Sequence, residues 1–238
     1  MGLKHDQGIV LRTYPFGEAD NIIVLLSANN GKLRTVAKGV RKTKSRFGGR
    51  LQPFMHVDLV LYEGRNLDTI TQVETIESYP NIRTDLDRFV MASTMLELAD
   101  AVALEDEPSA GLLLLLHRGL LALNDGVGGP ELLTVYMLKV AGVLGLAPSL
   151  SACAGCGEPS PERFSFEAGG VVCSSCAPSG AYKLRPGVTD RLAVLAAADI
   201  QNLPDLSPIA PIETLGVARR FLEYHLERKI ISMSVMNE

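Results

Sequence analysis

The chain has 238 residues, 47% of them hydrophobic and 21% charged, which sets it apart from disordered, collagen-like and disulfide-dense proteins. A length like this buries roughly 70% of the surface its unfolded chain exposes, so one large domain or two to three small ones can hold a core without a disulfide scaffold. The net charge of −4 argues against a polyanionic partner, but the sum hides a division near Pro80: residues 1–80 carry 11 basic and 8 acidic side chains, and the remainder 12 and 19.

The amino terminus, Met1-Gly2-Leu3-Lys4-His5-Asp6, lacks the basic start and apolar run of a secretory signal. Asp6 stands where a myristoylation start needs Ser or Thr. The next segments read as five short strands, Gly8–Thr13, Ile22–Ser27, Leu33–Ala37, Val57–Tyr62 and Thr69–Ile76, rich in Val, Ile, Leu and Thr. Asn29-Asn30-Gly31 and Glu63-Gly64-Arg65-Asn66 predict hairpin turns, because Asn and Gly tolerate positive φ. Five short strands in about 80 residues fit a small closed barrel, which removes exposed edges.

The long connection overlaps an acid-free stretch, KLRTVAKGVRKTKSRFGGR, holding Lys32, Arg34, Lys38, Arg41, Lys42, Lys44, Arg46 and Arg50. Repulsion within such a run is relieved by a polyanion that supplies phosphates and releases counterions. The alternative is a solvated loop whose charges only keep it soluble. Phe47 lies inside the run, with Tyr14 and Phe16 after the first strand. On barrel surfaces that bind single strands, aromatic rings stack on bases while Lys and Arg track the backbone. Phe47 joins the eight cations as a DNA-binding candidate, core packing being the alternative; Phe54 and Tyr62 read as core.

From Thr84 the period changes to helical. Thr84 followed by Asp87 forms a capping-box-like start, and Phe89, Ala92, Leu96, Ala99 and Ala103 recur at spacings of three and four beside a second row of Met91, Met95, Leu98 and Val102. Pro108 and Pro130 open helices running to about Leu123 and Leu146. The apolar stretches Leu112–Leu123 and Leu132–Ala147 are broken by His117-Arg118 and Lys139. Both fall short of the about 20 residues of a membrane span, so no membrane partner is expected. Gly187–Ala198 and Ile212–Ile230 resume the helical pattern, with Leu215, Ala218, Leu222, Leu226 and Ile230 on one stripe.

Cys153-Ala-Gly-Cys156 and Cys173-Ser-Ser-Cys176 fall in the spacing window of four-thiolate zinc sites. Two residues between thiols let one turn bring both sulfurs to a tetrahedral ion, and four thiolates leave no position for water, so the expected Zn2+ is structural. A dithiol redox pair and a site that has lost its metal are the alternatives. Phe164 and Phe166 supply a small core for this knuckle. The chain therefore reads as α+β and multidomain: residues 1–80 a barrel, 81–150 the first part of a helical domain, 151–182 the knuckle, and 183–238 the second helical part.

No catalytic constellation stands out. Lys42-Thr43 lacks the glycines of a phosphate-cradling loop, there is no Gly-x-Ser-x-Gly, and His5, His56, His117 and His225 stand in no metal-ligand spacing. The sequence reads as a cytoplasmic protein without bond-making chemistry.

Gly8-Ile-Val-Leu-Arg12-Thr13, Gly17-Glu18-Ala-Asp20, Gly31-Lys32 with Ala37-Lys38-Gly39, Ser45-Arg46 and Leu51-Gln52-Pro53-Phe54, with Arg220-Phe-Leu-Glu-Tyr-His225-Leu near the end, resemble the bacterial recombination-mediator family RecO. The resemblance covers essentially the whole chain. It implies an OB-fold barrel, an α-helical domain and a zinc knuckle, in a nucleoid-associated protein that binds single- and double-stranded DNA and anneals complementary strands. RecR and single-strand-binding protein are its implied partners in loading the RecA recombinase, with RecF a further one. The family's DNA contacts carry over to the Lys32–Arg50 stretch. Arg219, Arg220 and Arg228 are candidates for the tail of single-strand-binding protein, packing or solubility being the alternative for each. A competing class is a zinc-containing interaction adaptor whose barrel is scaffold only.

Overall fold

This computed structural model describes residues 2–159, 161–206 and 210–233; Met1, where the signal-sequence reading begins, and parts of the 183–238 segment lie outside them. Backbone packing divides the chain into two compact units, residues 1–124 and 125–238. The expected boundary at residue 80 falls inside the first.

In the first unit, β1 (Leu3–Phe16), β2 (Asp20–Ser27), β3 (Gly31–Ala37), β4 (His56–Tyr62) and β5 (Asp68–Glu77) close a barrel in the order β1-β2-β3-β5-β4, the five-stranded OB-fold arrangement. All five expected strands are present, each extended by one or more residues. β1 serves two walls, pairing with β4 from Leu3 to Ile9 and with β2 from Gly8 to Phe16. A bulge between Val10 and Arg12 provides the bend. Closure is parallel and short, through Thr35 opposite Asp68 and Val36 opposite Thr69. Val10, Ile23, Leu25, Val57, Leu59, Leu61 and Ile70 fill the interior.

Ile22, Val24 and Leu26, on the other face of β2, are also buried, so this strand reads as a continuous apolar run. At its end the Lys32 N–H donates to the Leu104 carbonyl at 2.8 Å. Gly31 is required there: its φ is +63°, and a Cβ would stand 2.4 Å from the carbonyl oxygens of both Leu104 and Glu107. Tyr62 departs from the expected core position. It is 44% exposed, because it alternates outward from the buried Leu59 and Leu61 and faces Leu3 across the strand pair.

A 3-10 turn, Pro80–Thr84, leads into α1 (Leu86–Val102). The cap is Asp85, whose side chain accepts from the Arg88 N–H at 2.9 Å. Thr84, one residue earlier, instead donates its hydroxyl to the Asn81 carbonyl. Met91, Ala92, Met95, Leu96, Leu98 and Ala99 are buried as the two rows require, whereas Phe89 stays 43% exposed and meets Phe54 edge-on at 5.3 Å. α2 (Ala110–Asn124) buries Leu112, Leu115, Leu116, Leu120 and Leu123.

The second unit holds α3 (Pro130–Val143), a small sheet of β6 (Arg163–Ser165), β7 (Gly170–Val172) and β8 (Tyr182–Lys183), then α4 (Val188–Ala197) and α5 (Pro211–His225). α3 packs against α4 and α5, and Leu133, Tyr136, Val140, Leu192, Phe221 and Leu222 on these helices are buried. A pair between Arg191 and Glu131 links α4 to α3. α5 stops short of the expected Ile230: Glu227 turns the backbone at φ 49°, and the Glu223 carboxylate catches the Ile230 N–H at 3.0 Å. No helix among the described residues is long and apolar enough to cross a membrane.

Candidate nucleic-acid interface and metal centre

The connection between β3 and β4 has no regular secondary structure, yet its backbone is braced throughout. N–H groups of Lys42, Ser45, Gly48, Arg50, Gln52 and Met55 each donate to the carbonyl three residues earlier. Its start is tied to the β1–β2 turn: the Gly39 N–H donates to the Asp20 carboxylate at 2.7 Å and the Arg41 N–H to the Ala19 carbonyl at 3.0 Å. Its end is tied to β1 at the bulge, where the Val10 N–H donates to the Met55 carbonyl at 2.9 Å and the Phe54 N–H to the Val10 carbonyl at 3.0 Å. Between these ties Phe47 and Leu51 enter the barrel core.

This corrects the stacking expectation for Phe47. The ring is 1% exposed and presents no face to a base; burial of its apolar surface outweighs the flanking charges and glycines. It anchors the loop instead, with the Arg46 guanidinium lying over it at 4.9 Å.

Lys38, Arg41, Lys42, Lys44, Arg46 and Arg50 are exposed, and among the described residues none of Lys38, Arg41, Lys42 and Lys44 has a carboxylate partner. Arg50 donates to the Arg46 carbonyl at 3.2 Å. Arg34, exposed on β3, donates to the Tyr14 hydroxyl at 2.8 Å. Lys32 differs in being only partly exposed: its side chain is 19% accessible and faces Asp100 at 3.5 Å, a carboxylate that it shares with the more exposed Arg12.

Sequence reasoning missed Arg12. It stands opposite Val24 on β2, which stands opposite Arg34 on β3, so the two arginines occupy one register line across three strands. The Arg12 guanidinium lies 5.7 Å from the Tyr14 ring centroid and also pairs with Asp100 at 2.8 Å. The two-residue alternation of β1 places Arg12 and Tyr14 on one face; only the pairing through β2 brings Arg34 beside them. Cations beside an accessible ring are the elements from which single-strand surfaces are built.

Of the carboxyl-terminal arginines, Arg219 is engaged by Glu223 at 3.0 Å, Arg220 lies over the Tyr182 and Phe166 rings at 5.1 and 5.8 Å, and Arg228 is exposed.

The second centre is the cysteine cluster. The ligand atoms of Cys153, Cys156, Cys173 and Cys176 all lie within 4.8 Å of one another. Thiolates about 2.3 Å from one tetrahedral ion stand about 3.8 Å apart, and the Cys156 and Cys173 sulfurs are at 3.7 Å. The donor set therefore fits a metal ion.

Each pair sits on a tight turn, the Gly157 N–H donating to the Cys153 carbonyl at 2.8 Å and the Cys176 N–H to the Cys173 carbonyl at 3.2 Å. Gly155 keeps the first turn close to the second pair, since a Cβ there would lie 3.0 Å from the Cys176 Cβ and would require Cys176 to shift. The Cys173 N–H, donating to the Cys153 sulfur at 3.3 Å, draws that thiol down to about 6, while the neighbouring thiols push Cys176 up to about 12. Phe164, 1% exposed, meets Phe166 at 5.5 Å and Phe221 at 6.1 Å.

A family profile described as "Recombination protein O N terminal" matches residues 1–79, and one described as "Recombination protein O C terminal" matches 83–234. The chain is 41% identical over 240 residues to a protein of Thermobifida fusca named "DNA repair protein RecO", covering 99% of each chain. It is 44% identical over 239 residues to a protein of the same name from a Nocardioides species, covering 98% of each.

Proposed function

The chain belongs to the RecO family of DNA repair proteins, and from that premise we propose that it is a non-enzymatic DNA-binding protein that pairs complementary strands in recombinational repair. It binds single- and double-stranded DNA, anneals complementary strands, and helps load the RecA recombinase onto DNA coated with single-strand-binding protein. The observation that carries the reading is the braced β3–β4 loop. Six exposed cations sit on a backbone pinned by Phe47 and Leu51, so the loop that presents them is already ordered and only the side chains lose freedom when they meet phosphates. Arg12, Arg34 and Tyr14 extend this surface onto the barrel wall.

Annealing makes and breaks no covalent bond, so the protein's task is to gather two polyanions and let base pairing select. RecR and single-strand-binding protein are its partners, and RecF and RecA act with it on the nucleoid. The metal is Zn2+, held by Cys153, Cys156, Cys173 and Cys176; it supplies folding free energy to the knuckle.

A salt titration of labelled single-strand binding tests the reading. If about five phosphates are contacted, log K falls against log[salt] with slope near about −3.5. Binding that ignores salt would overturn it.

A further inference from the structure

A cavity of about 260 Å³ in the first unit lies between the barrel and α2, lined by Gln7, Ala28, Leu113 and Leu114 together with two histidines, His56 of β4 and His117 of α2. His56 is 9% exposed, and neither of its ring nitrogens has a hydrogen-bond partner among the described residues. A buried polar group without a partner is costly, and both His56 nitrogens are closed off from solvent, so the imidazole lacks a ligand that the adjoining cavity has room to admit. The His56 and His117 ring centroids are 5.2 Å apart. Two imidazole nitrogens bound at about 2.0–2.1 Å to one tetrahedral ion place their ring centroids about 5 Å apart.

The His117 ring is held by a hydrogen bond between its Nδ1 and the Tyr79 hydroxyl at 2.6 Å. In the tautomer protonated at Nδ1, the ring donates to that oxygen and offers Nε2 as a lone pair of fixed direction. Tyr79 is fully buried and held at φ 45°, a conformation that costs energy for a tyrosine and persists where the surroundings fix the side chain. Glu77, directly across the strand pair from His56, accepts the Ser78 and Tyr79 N–H groups and adds negative charge near the cavity.

We propose that His56 and His117 form a second metal site, separate from the thiolate cluster, taking a divalent ion of the Zn2+ class on two imidazoles with water completing the coordination. Tyr79 is its positioning residue.

The test uses the full chain with its thiolate cluster already loaded, titrated with Zn2+ in the presence of a competing chromogenic chelator. The wild type takes up one equivalent beyond the tightly held one. His56→Ala and His117→Ala lose the additional equivalent and keep the first, while Tyr79→Phe weakens the additional one by about 10–100-fold. His117→Gln, on the helix surface of the cavity, repeats the test should the core variant His56→Ala unfold. A wild type with no additional equivalent, or one whose additional uptake survives both histidine substitutions, overturns the proposal.

Discussion

The Arg46 guanidinium lies 4.9 Å from the centroid of the Phe47 ring, and the chain passes from solvent to barrel core between these two residues: the arginine is exposed and the ring is 1% exposed. Neighbours in a run that reads as one basic patch thus do different work. Phe47→Ala is expected to cost about 3–5 kcal/mol of stability, as large-to-small changes in a core do, with a lower denaturant midpoint as the readout. Phe47→Leu keeps most of the volume and is expected to leave DNA affinity near wild type. A large affinity loss in a stably folded Phe47→Leu protein would restore the stacking role. Arg46→Ala is expected to leave the midpoint nearly unchanged and weaken DNA binding.

Reversal of Arg41, Lys42 and Lys44 to Glu removes three unpaired cations. If all three meet phosphates, the salt slope on a single strand becomes shallower by about 2, and the unfolding midpoint moves little, because exposed changes away from packing are usually within about 0.5 kcal/mol each. Unchanged affinity for a labelled oligonucleotide would remove the loop from the interface.

Two substitutions probe the cysteine cluster from different sides. Cys153→Ser takes away the thiol already drawn toward ionisation and is expected to release the metal and loosen residues 151–182 to hydrogen exchange. Gly155→Ala keeps all four sulfurs but drives a methyl group against Cys176, so metal affinity falls while the ligand count stays four. Metal content after dialysis reads both, and retention by Cys153→Ser would refute the ligand assignment.

Glu223 predicts an acid limb in the stability of the second unit. Burial would raise its pKa, but the Ile230 N–H and the Arg219 and Lys229 side chains outweigh burial and hold it below the usual range. A carboxyl depressed on folding contributes stability that is fully present above its unfolded pKa of about 4.3 and is lost as pH falls through the folded value. Unfolding midpoints should therefore drop on acidification below about pH 4.3, and Glu223→Gln should flatten that limb. At neutral pH the same variant is expected to lose on the order of 1–3 kcal/mol.

The barrel was legible because its strands carry their own punctuation. Asn29-Asn30-Gly31 and Glu63-Gly64-Arg65-Asn66 fall at the observed turns, and the β-branched runs between them are strands. The cysteine spacing was legible because tetrahedral coordination constrains short loops. What the chain did not disclose is long-range. Phe47 sits among basic and glycine residues, and only closure of the barrel creates the apolar space that takes it in. Arg12 becomes a neighbour of Arg34 only through pairing of each strand with β2. The end of α5 is set by a carboxylate reaching Ile230 from Glu223, a contact that helical periodicity does not encode.

The bracing of the β3–β4 loop has a consequence for how such a protein can change. Its rigidity comes from main-chain hydrogen bonds, from Asp20 holding the Gly39 N–H, and from the Phe47 and Leu51 anchors. Among the described residues, the side chains of Lys38, Arg41, Lys42 and Lys44 add no hydrogen bond or ion pair to that frame, whereas Arg50 donates to the Arg46 carbonyl and Arg46 covers the Phe47 ring. The first four are free to drift in number and placement, one residue at a time, while the fold that carries them stays out of reach of the same substitutions.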